Sequence, residues 1–186
     1  MKTLAFAFLF LFAGCAREKG DPIVGVQEAL FRYQFEHIAF YVEPTDKFYF
    51  LAFGDLEKNN AIDPPAEFLT HFPAMKSRIA LFSEARRTAQ DRLVIDKKTK
   101  EYGIIFFVGH VRMTGPDTAE AKGGFYAGGF SASTSTYRLK FGWRGWRVVN
   151  ERVDSIAKIL PNPALQPSPA SVTTAAEQPS RHPGRG

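Results

Sequence analysis

The feature that most constrains the fold is a series of four apolar segments between Tyr102 and Asp154. The segments cover residues 104–113, 119–130, 137–141 and 146–153, with turn-forming residues at 115–117, 131–136 and 142–145. Val, Ile, Phe, Tyr and Trp in the segments favour strands, whereas Gly, Pro, Asp and Ser between them favour turns. Because such short connections force neighbouring strands to be antiparallel, the sequence predicts a four-stranded antiparallel meander at the C-terminal side of the domain.

A helix is predicted ahead of the strands, at about 22–37. Asp21 suits the N-cap, and Pro22 suits the first helical position. Apolar or aromatic residues then recur at helical spacing: Val26, Leu30, Tyr33 and His37, with Phe31 and Phe35 beside them. The polar residues, Gln34 among them, are expected on the solvent side. Strands at 47–53 and 78–85, and a short helix at 66–72 after Asp63, complete an α+β fold in which the N-terminal helix packs on a curved antiparallel sheet.

Glycine pairs suggest where the sheet curves. Residues 123–124 and 128–129 are glycines inside the second segment of the meander, and glycine within a strand marks a bulge or a bend. We therefore expect at least one of Gly128 and Gly129 to have a backbone conformation that a side chain disfavours.

The order of elements over residues 22–156 resembles that of cystatin-like and nuclear transport factor 2-like domains, in which a curved sheet wraps an N-terminal helix. The resemblance rests on element order and on no short motif. The glycine-rich stretch that begins at Gly123 also resembles a pattern of uncharacterised bacterial secreted proteins, which implies no function.

The N-terminus carries a short apolar segment. Lys2 precedes an apolar run at 4–13, which is too short to span a bilayer. The sequence Phe12-Ala13-Gly14-Cys15 resembles a bacterial lipobox, although that family usually has Leu in place of Phe12. The resemblance implies a lipoprotein signal at 1–16, acylation of Cys15 and a tether at 17–21. The protein would then be lipid-anchored in the cell envelope, facing the periplasm or the exterior. The alternatives are an ordinary secretory signal cut after Ala16, giving a secreted protein, and an uncleaved anchor.

The remainder divides into a single domain at 22–160 and a tail at 161–186. The tail contains six prolines mixed with Ala, Ser and Thr, so it cannot bury enough apolar area to offset its ordering entropy, and we predict that it is disordered.

The formal charge of the chain is +5. Without Lys2 and the tail residues Glu177, Arg181 and Arg185, the rest of the chain has a net charge of about +3. This charge is too weak to indicate nucleic-acid binding. The single cysteine, Cys15, excludes an intrachain disulfide.

No nucleotide-binding, metallohydrolase, redox or serine-hydrolase motif is present, and the histidines are not clustered as a metal site requires. No cofactor and no metal are therefore predicted. If the concave sheet face and the helix enclose a pocket, the groups that could act there are on the meander. These candidates are His110, Glu120, Tyr126 and Tyr137, with Glu151 and Asp154 also on these strands. The alternative for each is an exposed polar side chain or an amphipathic tyrosine.

The leading hypothesis is a lipid-anchored envelope protein that binds or scaffolds an envelope protein or a small ligand without catalysis. The alternative is a small-molecule pocket enzyme of the nuclear transport factor 2-like kind. An interior filled with Phe, Val and Ile favours the first, and a roomy pocket with converging polar groups favours the second. Trp143 at a turn is expected to be exposed and Trp146 to be in the core. The basic run at 86–100 is expected to be solvated, or alternatively to contact anionic lipid headgroups or cell-wall polymers.

Overall fold

A computed structural model of the chain describes residues 20–38, 47–73, 78–89, 92–129 and 131–156. Within them the elements are helix α1 (Pro22–Ile38) and strands β1 (Phe48–Phe53), β2 (Arg78–Leu81), β3 (Ala85–Arg87), β4 (Val94–Asp96), β5 (Gly103–Gly115), β6 (Thr118–Gly128), β7 (Ser131–Gly142) and β8 (Gly145–Ile156). Two 3₁₀ helices, Ala66–His71 and Phe82–Glu84, lie between them. The α+β class is confirmed. The predicted leader and tail lie outside the described residues.

The main sheet is open and has six strands in the order β2-β1-β5-β6-β7-β8, while β3 and β4 form a separate hairpin. From β5 to β8, neighbouring strands are antiparallel and joined by connections of two residues. In contrast, β1 is parallel to both β2 and β5. The expectation of an antiparallel sheet is therefore wrong at β1. The long segment between β1 and β5 permits the crossover that parallel strands require.

Several predicted boundaries are corrected. The Ser/Thr run at 131–136, expected to be a turn, lies inside β7, where Thr134 and Ser135 are buried. The segment expected to be one strand at 78–85 is interrupted by a 3₁₀ helix. The short helix that was predicted at 66–72 is also a 3₁₀ helix, and Asp63 does not cap it, because its Oδ1 accepts a hydrogen bond from the Ser83 backbone N–H at 2.7 Å.

Helix α1 begins as expected, because Asp21 Oδ1 accepts a hydrogen bond from the Ile23 backbone N–H at 2.9 Å. Its buried face differs from the predicted one. Phe31 and Phe35 are buried, whereas Tyr33 is only half-buried and His37 is exposed. Gln34, expected on the solvent side, is fully buried, because it lies one turn from Leu30 and Phe31 on the same face of the helix.

The core has two parts, one on each face of the sheet. On the face that contacts α1, the helix packs on Phe106, Val108, Tyr137 and Leu139 among others. On the opposite face, β3 and β4 cover Ile105, Phe107 and Tyr126. Residues 103–108 of β5 are therefore buried on both faces, whereas exposed and half-buried residues alternate from 109 to 115.

Gly128 and Gly129 have φ values of 112° and 54°, so the expectation of a backbone conformation unfavourable to side chains is confirmed. The structural reason differs from the predicted one. Gly128 ends β6 and Gly129 lies in the connection to β7, so the pair forms a hairpin turn instead of bending a strand. At Gly123 the constraint is space, because a Cβ there would lie 2.8 Å from Gln34 Nε2 and from the Phe107 carbonyl oxygen.

Candidate functional site

The four predicted pocket residues do not converge. Tyr137 belongs to the core beneath α1, whereas Tyr126 belongs to the core on the opposite face. His110 is exposed in the second half of β5. Glu120 forms ion pairs with Arg112 at 3.1 Å and, more loosely, with Arg138 at 4.0 Å. The predicted set therefore does not form one site.

Tyr126 has a structural environment of its own. Its hydroxyl donates to the Arg92 carbonyl oxygen at 3.0 Å, and the Arg87 guanidinium lies 4.6 Å above its ring. Burial raises the pKa of Tyr126, although the nearby Arg87 opposes that shift. Arg87 is itself buried, so the expectation that the whole basic run at 86–100 is solvated is wrong at this residue.

A different set of polar groups meets between α1 and the strands β7 and β8. We call it the tyrosine–glutamate cluster: Tyr33, Gln34, Ser135, Tyr137 and Glu151. The two oxygens of the Glu151 carboxylate accept hydrogen bonds from the Tyr33 hydroxyl at 3.0 Å and from the Ser135 hydroxyl at 2.9 Å. The cluster thus joins the helix to the last two strands through one carboxylate.

Both tyrosines of this cluster are held in the protonated form. Burial, reinforced by the hydrogen bond to Glu151 and by its charge, raises the pKa of Tyr33 to about 12. Burial followed by the charge of Glu151 raises the pKa of Tyr137 further, while Ser135 and Gln34 oppose the shift. At neutral pH the two phenols are therefore hydrogen-bond donors and do not act as bases.

Gln34 adds an acceptor without a partner. Its Nε2 donates to the Phe107 carbonyl oxygen at 3.2 Å, and its Oε1 is buried with no donor in hydrogen-bonding geometry among the described residues. An amide oxygen buried in this way costs free energy until a donor meets it. The Gln34 oxygen is closed off from solvent, so the exposed Glu151 carboxylate is the acceptor of this cluster that a ligand could reach.

A second polar group, the lysine cluster, lies where the loop after β1 crosses the sheet. Lys122 Nζ is 3.5 Å from Asp55 Oδ2 and 3.5 Å from Glu57 Oε2. Glu57 Oε1 also accepts hydrogen bonds from the hydroxyls of Thr134 at 3.0 Å and Ser155 at 3.2 Å. Asp55 is almost fully buried, so Lys122 compensates a carboxylate that water does not reach. This cluster fastens the loop to strands β6 to β8.

The sequence contained some signals for these clusters. Gln34 is three residues after Phe31 and four after Leu30, which places it on the apolar face of the helix. No local pattern indicated that Tyr33 meets Glu151, because β8 contains two register shifts that change which side chains share a face. Cys15, the predicted lipidation site, lies outside the described residues.

Among the described residues, no helix has both the length and the apolar character needed to cross a membrane. In the same part of the chain, no group of three or more His, Cys, Asp or Glu side chains is arranged to hold a metal ion. Comparison of the chain with protein-family models, with curated proteins and with solved structures finds no match.

Proposed function

We propose that this chain is a lipid-anchored cell-envelope protein whose single α+β domain binds or scaffolds a partner without catalysis. In this proposal α1 is held by a curved sheet that ends in a four-stranded meander. The membrane attachment is supported by the lipobox-like sequence Phe12-Ala13-Gly14-Cys15. A single acyl chain holds a protein only marginally, whereas several chains give stable anchoring.

The observation that carries a binding role without catalysis is the aromatic packing of α1 on β5 and on the 3₁₀ helix that contains Phe68 and is followed by Phe72. The Phe35 ring lies 5.1 Å from Phe106 and 5.5 Å from Phe72, both edge to face. Phe31 lies 5.9 Å from Phe68, and Phe68 lies 5.6 Å from Phe72. Edge-to-face rings at these distances fill the interior and stabilise it beyond simple burial. An interior packed with phenylalanine in this way favours the binding role over a pocket enzyme.

Replacement of Cys15 tests the anchoring. In cells supplied with labelled palmitate, the wild-type protein should carry label at its N-terminus and sediment with membranes. Cys15→Ser should carry none and should appear in the soluble fraction after a high-salt wash, which leaves an acyl anchor in place. Ala16→Ser, which keeps the thiol, is the matched control and should remain labelled. A wild-type N-terminus that carries no acyl group by mass spectrometry would show that the anchoring proposal is wrong.

One observation favours a second candidate function, the small-molecule pocket enzyme of the nuclear transport factor 2-like kind. In the tyrosine–glutamate cluster, the Tyr33 and Ser135 hydroxyls both donate to the exposed Glu151 carboxylate. Thermal-shift screening with amines and polyols tests this candidate, since a ligand that binds the folded state raises its stability. A ligand of this site should lose its effect in Glu151→Gln but keep it in the control Glu120→Gln. If no stabilising compound depends on Glu151, this candidate fails.

A further inference from the structure

One end of the sheet is rich in basic side chains. At this end β5 turns into β6 and β7 turns into β8, and Lys140 of β7 lies opposite Arg147 of β8. One row further along the strands, Arg112, Glu120 and Arg138 are neighbours. We call this region the basic end: Arg112, Arg138, Lys140, Trp143, Arg144 and Arg147.

The basic end has an excess of positive charge that faces water. It contains five basic side chains, and the acidic residues at this end are Asp117, Glu120 and Asp21, which precedes α1. Glu120 pairs with Arg112, but the Arg112 and Arg138 side chains remain 62% and 73% exposed. An exposed surface with one sign of charge attracts a surface of the opposite sign.

An aromatic side chain extends from the same end. Trp143, in the turn between β7 and β8, is 84% exposed, and the Arg144 guanidinium lies 4.2 Å over its ring. The expectation that Trp143 is exposed is therefore confirmed. Trp146, expected in the core, is only half-buried and packs at the edge of the core against Phe141, with ring centroids 5.4 Å apart. An indole at such an exposed turn suits a boundary between water and an apolar phase, where its ring and its N–H find different partners.

The start of α1 lies at this same end. A Cβ added to Gly25 would be 2.8 Å from Trp146 Cδ1, so the first turn of the helix contacts the start of β8. Cys15 is seven residues before Pro22, and seven residues span at most about 25 Å when fully extended. An anchor at Cys15 would therefore keep the basic end, and not the opposite end of the sheet, close to the bilayer.

We propose that the basic end docks on the headgroups of anionic phospholipids in the membrane that holds the protein. This inference rests on the lipid anchor proposed above and adds an orientation to it. The cations contact lipid phosphates, while Trp143 enters the interfacial region. Each Lys or Arg near an anionic surface contributes about a fivefold gain in affinity, and salt weakens that gain.

The experiment uses the full chain, purified with its native N-terminus and mixed with vesicles of phosphatidylcholine alone or with about 30% phosphatidylglycerol. Acrylamide quenching of tryptophan emission is measured in the wild type and in Trp143→Phe, and the difference between them isolates Trp143. The basic triple variant is Lys140→Gln/Arg144→Gln/Arg147→Gln. The matched control, Lys97→Gln/Lys98→Gln/Lys100→Gln, removes three cations from the turn before β5, at the opposite end of the sheet.

We expect anionic vesicles to protect Trp143 at least about twofold relative to neutral ones, and high salt to abolish the protection. The basic triple variant should lose it and the control should keep it. Equal quenching on both kinds of vesicle overturns the proposal. Protection by soluble polyphosphate but not by anionic vesicles also overturns it, in favour of an anionic polymer.

If the proposed anchor is wrong while the docking is right, sedimentation with the two kinds of vesicle distinguishes the two proposals. A chain without an acyl group would not sediment with neutral vesicles, whatever the basic end does. Docking is then judged from sedimentation with anionic vesicles, where the basic triple variant should lower affinity on the order of 100-fold. Unchanged affinity in that variant overturns the docking proposal.

Discussion

The two halves of β5 lie in different environments although they belong to one strand. Residues 103–108 are all buried, between α1 on one face and the hairpin of β3 and β4 on the other. From 109 to 115, exposed residues alternate with half-buried ones. On the face opposite α1, no apolar layer covers this half among the described residues, and Arg112 is exposed there. The closed half, residues 103–108, is therefore expected to stabilise the fold. The open half, residues 109–115, leaves charged side chains on the surface.

The largest expected effect comes from removing a ring in the closed half. Phe106→Ala should lower the free energy of unfolding by about 3–5 kcal/mol, because the cavity left between α1 and the sheet cannot collapse fully. Arg112→Ala in the open half breaks only an exposed ion pair and should cost less than about 1 kcal/mol. Urea denaturation measures both, and similar losses for the two variants would remove the distinction between the halves.

A glycine at each end of the sheet gives a second comparison. Gly128 has φ of 112°, and a Cβ there would lie 2.8 Å from the Arg92 carbonyl oxygen and from Leu93 Cα. Gly128→Val should therefore lower the free energy of unfolding by about 1–3 kcal/mol, the range for a side chain forced into a strained backbone conformation. Gly142, at the open end, has no atom within 4 Å of the added Cβ, so Gly142→Val should be near neutral in the same denaturation experiment. Equal costs would mean that packing does not differ between the two ends.

Lys122 allows the boundary between the halves to be tested. A register shift occurs between Val108 and Val111, and Lys122 pairs with Asp55 and Glu57 beside this point. Lys122→Met should lower the free energy of unfolding by about 1–2 kcal/mol, because the buried Asp55 carboxylate loses its partner. Lys140→Met at the exposed end is the control, and we expect a change within about 0.5 kcal/mol. A neutral Lys122→Met would show that the lysine cluster does not hold the loop.

The smallest effect is a dependence on alkaline pH. The pKa of Tyr33 is about 12 in the folded protein, against an ordinary value of 10.0. A raised pKa adds stability that is complete below pH 10 and is lost as the pH rises towards 12, because the unfolded chain ionises first. Tyr33→Phe should make the midpoint of urea unfolding less sensitive to pH in this range. Tyr102 is an exposed tyrosine outside the cluster, and Tyr102→Phe is the control. If the unfolding midpoint depends on pH equally in the two variants, the raised pKa of Tyr33 is contradicted.

The closed and open halves of β5 also show how much the sequence could predict. Ile104 to Val108 is a continuous apolar run, which is typical of a strand covered on both faces, and the polar side chains that alternate after it are typical of a half-exposed strand. The start of α1 followed from Asp21 and Pro22 for a similarly local reason. The start of α1 and the apolar strands could therefore be predicted from neighbouring residues, whereas the Ser/Thr run inside β7 and the 3₁₀ helix after β2 were not.

Pairings that depend on distant residues could not be predicted. Nothing within β1 indicates that it runs parallel to β5, since the partner of a strand is set by the whole chain. Val149 is skipped in the backbone register between β7 and β8, and this bulge, which lies between the turn and Glu151, sets the face on which Glu151 meets Tyr33. The candidate site thus depends on a register that only the assembled sheet defines.

The parallel pairing of β1 with β5 has a consequence for the order in which the protein forms. Phe48 pairs with Gly103, about 55 residues later in the chain, whereas β5 to β8 pair through connections of two residues. Closing long loops is slow, so the last four strands should associate before β1 joins them. Synthesis at about 5–20 residues per second delivers α1 first and β8 on the order of ten seconds later. During that interval Phe31 and Phe35 have no sheet to cover them, and we expect the nascent chain to depend on chaperones until β8 has emerged.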